Sequence, residues 1–149
     1  MINKGMMSSN TAEWATPQWL FDLLNDEFNF DLDVCSTDEN AKCKNHYTEE
    51  DDGLSKPWKG NVWCNPPYGR DIVKLVKKAS ESNLSGVTVM LLPARTETRW
   101  FIDYVYPFAT ELRFIYGRLK FNDEAGSAPF PSVVAIYDRR AKPWKAISL

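Results

Sequence analysis

Apolar and polar positions change their period several times along the 149 residues, and each change marks an element. In "TPQWLFDLLNDEF" (residues 16–28), Trp19, Leu20, Leu23, Leu24 and Phe28 recur three or four apart, predicting a helix with one apolar face. Thr16 is an N-cap candidate and Pro17 stands at the first helical position. "FNFDLDVC" (28–35) alternates, predicting a strand with Phe30, Leu32 and Val34 on one side. Residues 36–60 are polar, acidic and irregular, with a short helix expected around 39–42. "NVWCN" (61–65) is a second strand. "RDIVKLVKKASES" (70–82) is an amphipathic helix with Ile72, Val73, Leu75, Val76 and Ala79 inward. "GVTVMLLP" (86–93) is a near-continuous apolar run, as in a parallel strand covered on both faces. A short helix (96–107), a strand (109–117) continuing through "RLKF" toward a hairpin, a loop (122–131) and a last strand (132–138) complete the pattern.

Alternating strands and helices predict an α/β fold with a mostly parallel sheet flanked by helices and a C-terminal antiparallel strand or hairpin. Residues 1–12 read as a flexible tail and 13–149 as a single domain, without repeats or a linker. In open sheets of this kind, ligands bind outside the carboxyl ends of the strands. Three polar constellations fall at such ends: residues 33–36, 65–68 and 93–99.

Composition narrows the class. No run approaches the roughly 18 apolar residues of a membrane span, and the N-terminus lacks a signal-peptide stretch. Three cysteines without framework spacing fit a reducing compartment, so a cytoplasmic protein is expected. Cys35, Cys43, His46 and Cys64 lack the paired spacing of a zinc knuckle, and no metal is expected. The net charge of −2 does not announce a nucleic-acid partner. Its distribution is informative: residues 1–69 hold 5 Lys and Arg against 12 Asp and Glu, residues 70–149 hold 13 against 8. A basic face can therefore coexist with an acidic total.

The chemistry concentrates at "NVWCNPPYG" (61–69). Pro66 and Pro67 have no N–H to give a sheet ladder, so the chain must leave the sheet rigidly after Asn65. The Asn65 amide oxygen, adjacent carbonyls and the flat face of Tyr68 suit a planar ligand bearing an amino group. A plain proline turn, with Asn65 bonding its own backbone, is the alternative reading of the tetrapeptide.

With that corner, "TPQWLFDLLNDEFNFDLDVCSTDENAKC", "DDGLSKPWKGNVWCNPPYG", "LLPARTETRWF", "GRLKF" and "APFPSVV" resemble successive blocks of the phage-type (Dam-like) DNA N6-adenine methyltransferase family. The blocks span most of residues 16–137. The resemblance implies a reduced Rossmann-like methyltransferase fold, S-adenosylmethionine as cofactor and double-stranded DNA as partner. It makes Asn65, Pro66, Pro67 and Tyr68 catalytic, with Tyr68 stacking on a flipped adenine. It implies cofactor contacts from Thr16 and Pro17 at the methionine end, from Asp33 with Cys35 at the first strand's end, and from Asp52 at the adenine amine. Arg95, Arg99, Arg118 and Lys120 are candidate DNA contacts, with Arg139, Arg140, Lys142 and Lys145 extending that surface. Larger relatives carry a Gly-rich turn after the first strand. "DVCSTDENAKC" has none, so a differently built cofactor pocket is expected. Related corners serve transferases acting on RNA bases or protein glutamine, and a binding module without catalysis keeps the same blocks.

Overall fold

The computed structural model describes residues 15–81, 85–121 and 127–140. The expected tail at 1–12, residues 122–126 of the loop before the last strand, and Lys142 and Lys145 lie outside the described residues. Helix α1 is Gln18–Phe28, α2 is Ile72–Glu81, and the strands are β1 (Leu32–Asp33), β2 (Val62–Cys64), β3 (Val87–Pro93), β4 (Glu111–Phe114) and β5 (Ser132–Asp138). They form one five-stranded open sheet in the order β1-β2-β3-β5-β4. β1, β2 and β3 pair in parallel, while β5 runs antiparallel to both β3 and β4. The mixed α/β architecture and the antiparallel last strand agree with the expectation. β5 enters between β3 and β4, however, and does not hairpin at the edge.

Both faces of the sheet are covered, which is why β3 reads as unbroken apolar sequence: all seven of its residues are buried. Met90 and Leu92 join Val62, Cys64 and Val133 under α2 and the segment around Phe101. Val87, Val89 and Leu91 join Trp63, Val134 and Ile136 under α1 and the stretch containing Leu119, Phe121 and Phe130. The β3–β5 ladder of seven pairs, Val87↔Asp138 to Pro93↔Ser132, is the spine of the domain.

Several local expectations need correction. α1 buries Leu20, Phe21 and Leu24, whereas Trp19 and Leu23 are exposed, so its inner face is rotated by about one residue. Pro17 is its N-cap, and no side chain caps the helix. Asn29 ends α1 in a left-handed conformation (φ 52°), its N–H bonded to Asn25 O at 2.8 Å. The chain therefore reverses before β1, which shrinks to two residues. Phe30 packs with Phe21 and Trp63 on the opposite face from Leu32 and Val34. Residues 39–42 form no helix, Val73 is exposed, and residues 118–121 form no strand. The expected helix at 96–107 narrows to 99–105, and Phe101–Val105 is a π turn with Tyr106 N–H bonded to Phe101 O.

Among the described residues no helix is long and apolar enough to cross a membrane.

Candidate functional site

β4 is antiparallel to β5 and so runs with β1–β3; the carboxyl ends of all four share one edge of the sheet with Ser132, the first residue of β5. Ala94 N–H bonds Pro131 O at 2.8 Å and Ile115 N–H bonds Ser132 O at 3.2 Å, closing this edge. The three polar constellations of the sequence converge here. Arg118 and Lys120 follow β4 at the same edge, and both are exposed, as are Arg95 and Arg99. Arg99 is paired with Asp103 at 2.9 Å.

At the end of β2 the chain leaves the ladder after Cys64, as the two prolines require. Asn65 Nδ2 donates to Thr16 Oγ1 at 3.1 Å, and both groups are withdrawn from solvent. In this arrangement Nδ2 faces the start of α1 and Oδ1 points away from it. Thr16 thus meets Asn65 rather than capping α1. Tyr68 is held edge-on against Phe130 (centroids 5.0 Å, 84°) and Phe121 (6.3 Å, 81°), and burial raises its pKa.

Beside the corner lies a cleft of about 570 Å³. One wall is the turn from Val34 to Glu39, another runs from Tyr47 to Leu54, and the third is Pro67 with the start of α2, Asp71, Lys74 and Leu75. Of the residues expected at a cofactor, Cys35 and Asp52 line it. Thr16 and Pro17 sit at the Asn65 side, and Asp33 lies beneath the turn, 2% exposed.

Asp33 explains how the turn holds its shape without glycines. Its Oδ1 accepts the Cys35 N–H at 3.2 Å and its Oδ2 the Lys42 N–H at 3.0 Å. Thr37 and Asn40 bond each other reciprocally, N–H to side chain, at 2.7 and 3.2 Å. Burial pushes the Asp33 carboxyl up to about 6, against the pull of these N–H groups and of His46 and Lys42. Residues 45–47 run alongside β1, with Tyr47 N–H on Asp33 O at 2.8 Å and Ser36 N–H on Tyr47 O at 3.2 Å. At the cleft itself the glycine is Gly53: a Cβ there would stand 2.8 Å from Val34 O, so glycine lets the far wall close on the strand end. Trp58 Nε1 donates to Gly53 O at 2.9 Å and Lys78 Nζ to Leu54 O at 2.8 Å, anchoring that wall to α2.

A match to the family of DNA N-6-adenine-methyltransferases (Dam) spans residues 5–148. The chain belongs to this family. It is 39% identical over 132 residues to a DNA N-6-adenine-methyltransferase of Haemophilus phage HP1 (strain HP1c1), covering 81% of this chain and 76% of that protein. It is 33% identical over 93 residues to a DNA N-6-adenine-methyltransferase of Escherichia phage T1, covering 60% of this chain and 39% of the other.

For a Dam-family chain, the strand-end constellation at 33–36 brings Ser36 to the cleft as expected, while sequence reasoning missed Tyr47, Asp71 and Lys74 in its wall. Asp71 and Lys74 had a signal, since they open the helix that follows the corner. Tyr47 had none, because its place depends on the pairing of residues 45–47 beside β1. Cys35 and Cys64 have their sulfurs 3.8 Å apart in one core, while Cys43 packs against the other. Among the described residues no group of three or more His, Cys, Asp or Glu is arranged to hold a metal ion.

Proposed function

We propose that this chain is an S-adenosylmethionine-dependent DNA methyltransferase that modifies the N6 amino group of an adenine turned out of the duplex, on a reduced Rossmann-like fold. The observation that carries the reading is the Asn65 corner, an oriented amide and a proline-fixed backbone placed beside a cleft at the carboxyl edge of the sheet. Family membership supplies the reaction class.

The cleft suits the cofactor. Its volume is in the usual range for such ligands. Its lining pairs apolar Val34 and Leu75 with a buried Ser36 hydroxyl that has no hydrogen-bond partner among the described residues. Cys35 and Asp52 would hold the nucleoside portion, with Thr16 and Pro17 toward the methionine end and Asp33 supporting the turn. When bound, the cofactor supplies a methyl group on a sulfonium, already a strong electrophile.

The chain's task is to make the amine receptive. Adenine's exocyclic nitrogen has its lone pair delocalised into the ring and is a poor nucleophile. Asn65 Oδ1 and the Pro66 carbonyl would accept its two N–H bonds, favouring a tetrahedral nitrogen and stabilising the charge that develops there. Thr16 holds the Asn65 amide in place through its hydroxyl. Pro67 joins the corner to the cleft, and Tyr68, locked by Phe130 and Phe121, offers a ring to the base. Asn65 is not a base, so the proton leaves after transfer.

The test is incubation of the purified chain with S-adenosylmethionine and unmethylated duplex DNA, followed by nucleoside analysis. N6-methyladenine is expected with the wild type and none with Asn65→Ala, whose cofactor binding persists. A chain that binds cofactor yet leaves DNA unmodified, or that modifies RNA or protein in competition, would overturn the reading.

A further inference from the structure

The rim of the cleft is strongly acidic, although the ligand proposed for it ends in a carboxylate. Asp38, Glu39, Glu49, Glu50, Asp52 and Asp71 line it, and Lys74 is the one basic side chain among the lining residues. Asp71 is paired with Lys74 at 3.5 Å, Asp38 is hydrogen-bonded to His46 at 2.7 Å and Asp52 lies in the field of Lys78, which leaves the exposed Glu39, Glu49 and Glu50 to carry the charge of the rim. Behind the rim, the Ser36 hydroxyl is buried, with the residue 8% exposed, and has no hydrogen-bond partner among the described residues. A buried hydroxyl without a partner is costly unless a ligand meets it. The two features therefore point to one ligand, polar where it reaches Ser36 and cationic overall.

We infer that this cleft distinguishes the methyl donor from its demethylated product by charge, with the acidic rim favouring the donor and Ser36 holding the part common to both. The inference rests on the proposed cofactor. At neutral pH, S-adenosylmethionine carries an ammonium, a carboxylate and a sulfonium, for a net single positive charge. S-adenosylhomocysteine keeps the first two and is neutral. On transfer, the carbon–sulfur bond breaks and its electron pair stays on sulfur. The positive charge passes to the adenine nitrogen and leaves from there as a proton. The rim then faces a neutral molecule that it no longer attracts, so product leaves and donor replaces it. The charges are solvent-facing and screened by salt, so the preference is modest and depends on ionic strength: about tenfold for donor over product at low salt, approaching parity at high salt.

Titration calorimetry on the full chain tests this with both ligands at two ionic strengths. The wild type should bind S-adenosylmethionine more tightly, with salt weakening the donor and sparing the product. The triple variant Glu39→Gln, Glu49→Gln, Glu50→Gln, made at exposed positions, should lose about fivefold in donor affinity with product affinity unchanged within about twofold. Ser36→Ala should weaken both ligands alike and leave their ratio intact. Equal, salt-independent binding of the two ligands would overturn the inference and leave the methyltransferase reading standing. A parallel response of both ligands to the triple variant would overturn it too, and an unaltered Ser36→Ala would remove that residue from the site. Failure of the wild type to bind either ligand would overturn the cofactor assignment itself.

Discussion

At the scale of single residues, the corner works through partners that are distant in sequence. Thr16 and Asn65 are 49 positions apart, yet the Thr16 hydroxyl accepts the Asn65 amide N–H. Thr16→Val should remove this hydrogen bond from the Asn65 amide, at a cost of about 1 kcal/mol in orienting it. Single-turnover methylation is then expected to slow about five- to tenfold, with cofactor affinity within about twofold and Thr16→Ser restoring the rate. A loss of cofactor affinity instead would make Thr16 a cofactor contact. Asp33 gives a pH signature. Its carboxyl titrates near 6 in the fold against 3.8 when free, so between those values the folded chain holds the extra proton. Stability from this group is present at low pH and falls as pH rises from about 4 to about 6, by about 3 kcal/mol, and is flat above. Urea midpoints across that range should therefore separate from those of Asp33→Asn, which lacks the slope. Asn65 was legible because two prolines after an apolar strand leave few other purposes. Ser36 was legible as part of a strand-end constellation, but its unpartnered hydroxyl was not, since that exists only once the chain has folded around it.

Elements were legible where one period ran long enough to outvote its neighbours. β3 and β5 occupy their expected positions because both faces of each are buried and every residue agrees. α1 was placed correctly but turned wrongly: Trp19 and Leu23 share the helical period with Leu20 and Leu24, and only the sheet decides which stripe is covered. β1 was overdrawn because Asn29 reverses the chain inside what reads as continuous alternation. The cleft's far wall depends on Gly53, and Gly53→Ala must displace backbone because the new Cβ meets Val34 O. That substitution should destabilise the chain by about 1–2 kcal/mol and weaken cofactor binding several-fold, read by thermal melts and calorimetry on the same protein. The edge strand is tied down differently. Arg113 on β4 bonds both oxygens of Glu27 on α1, stands over Phe28, and holds Glu27 below the usual carboxylate range. The pair is half-exposed, so Arg113→Ala should cost only about 1 kcal/mol, and less in high salt.

For the whole molecule, the topology turns a division of charge along the sequence into a division of labour along one edge. The cleft lies by β1 and β2, in the acidic part of the chain, while Arg95, Arg99, Arg118 and Lys120 follow β3 and β4. β4 stands three strands from β2 in the sheet, about 14 Å away, or about four base-pair steps of duplex. A duplex delivering its adenine to Asn65 would thus extend over the basic side of the edge and away from the acidic cleft. No period or motif reveals this, because it depends on β5 entering between β3 and β4. The cations are not equivalent. Arg99 already faces Asp103 at 2.9 Å, so part of its charge is spent within its own helix, whereas Arg118 and Lys120 are exposed on either side of the buried Leu119 after β4. Binding to duplex DNA should weaken with salt. Arg118→Ala and Lys120→Ala should each flatten the plot of log affinity against log salt by about one, with Arg99→Ala doing less. Because phosphates carry no sequence, the loss should be the same on specific and nonspecific duplexes. Unchanged slopes in the Arg118 and Lys120 variants would move the DNA path to another face of the protein.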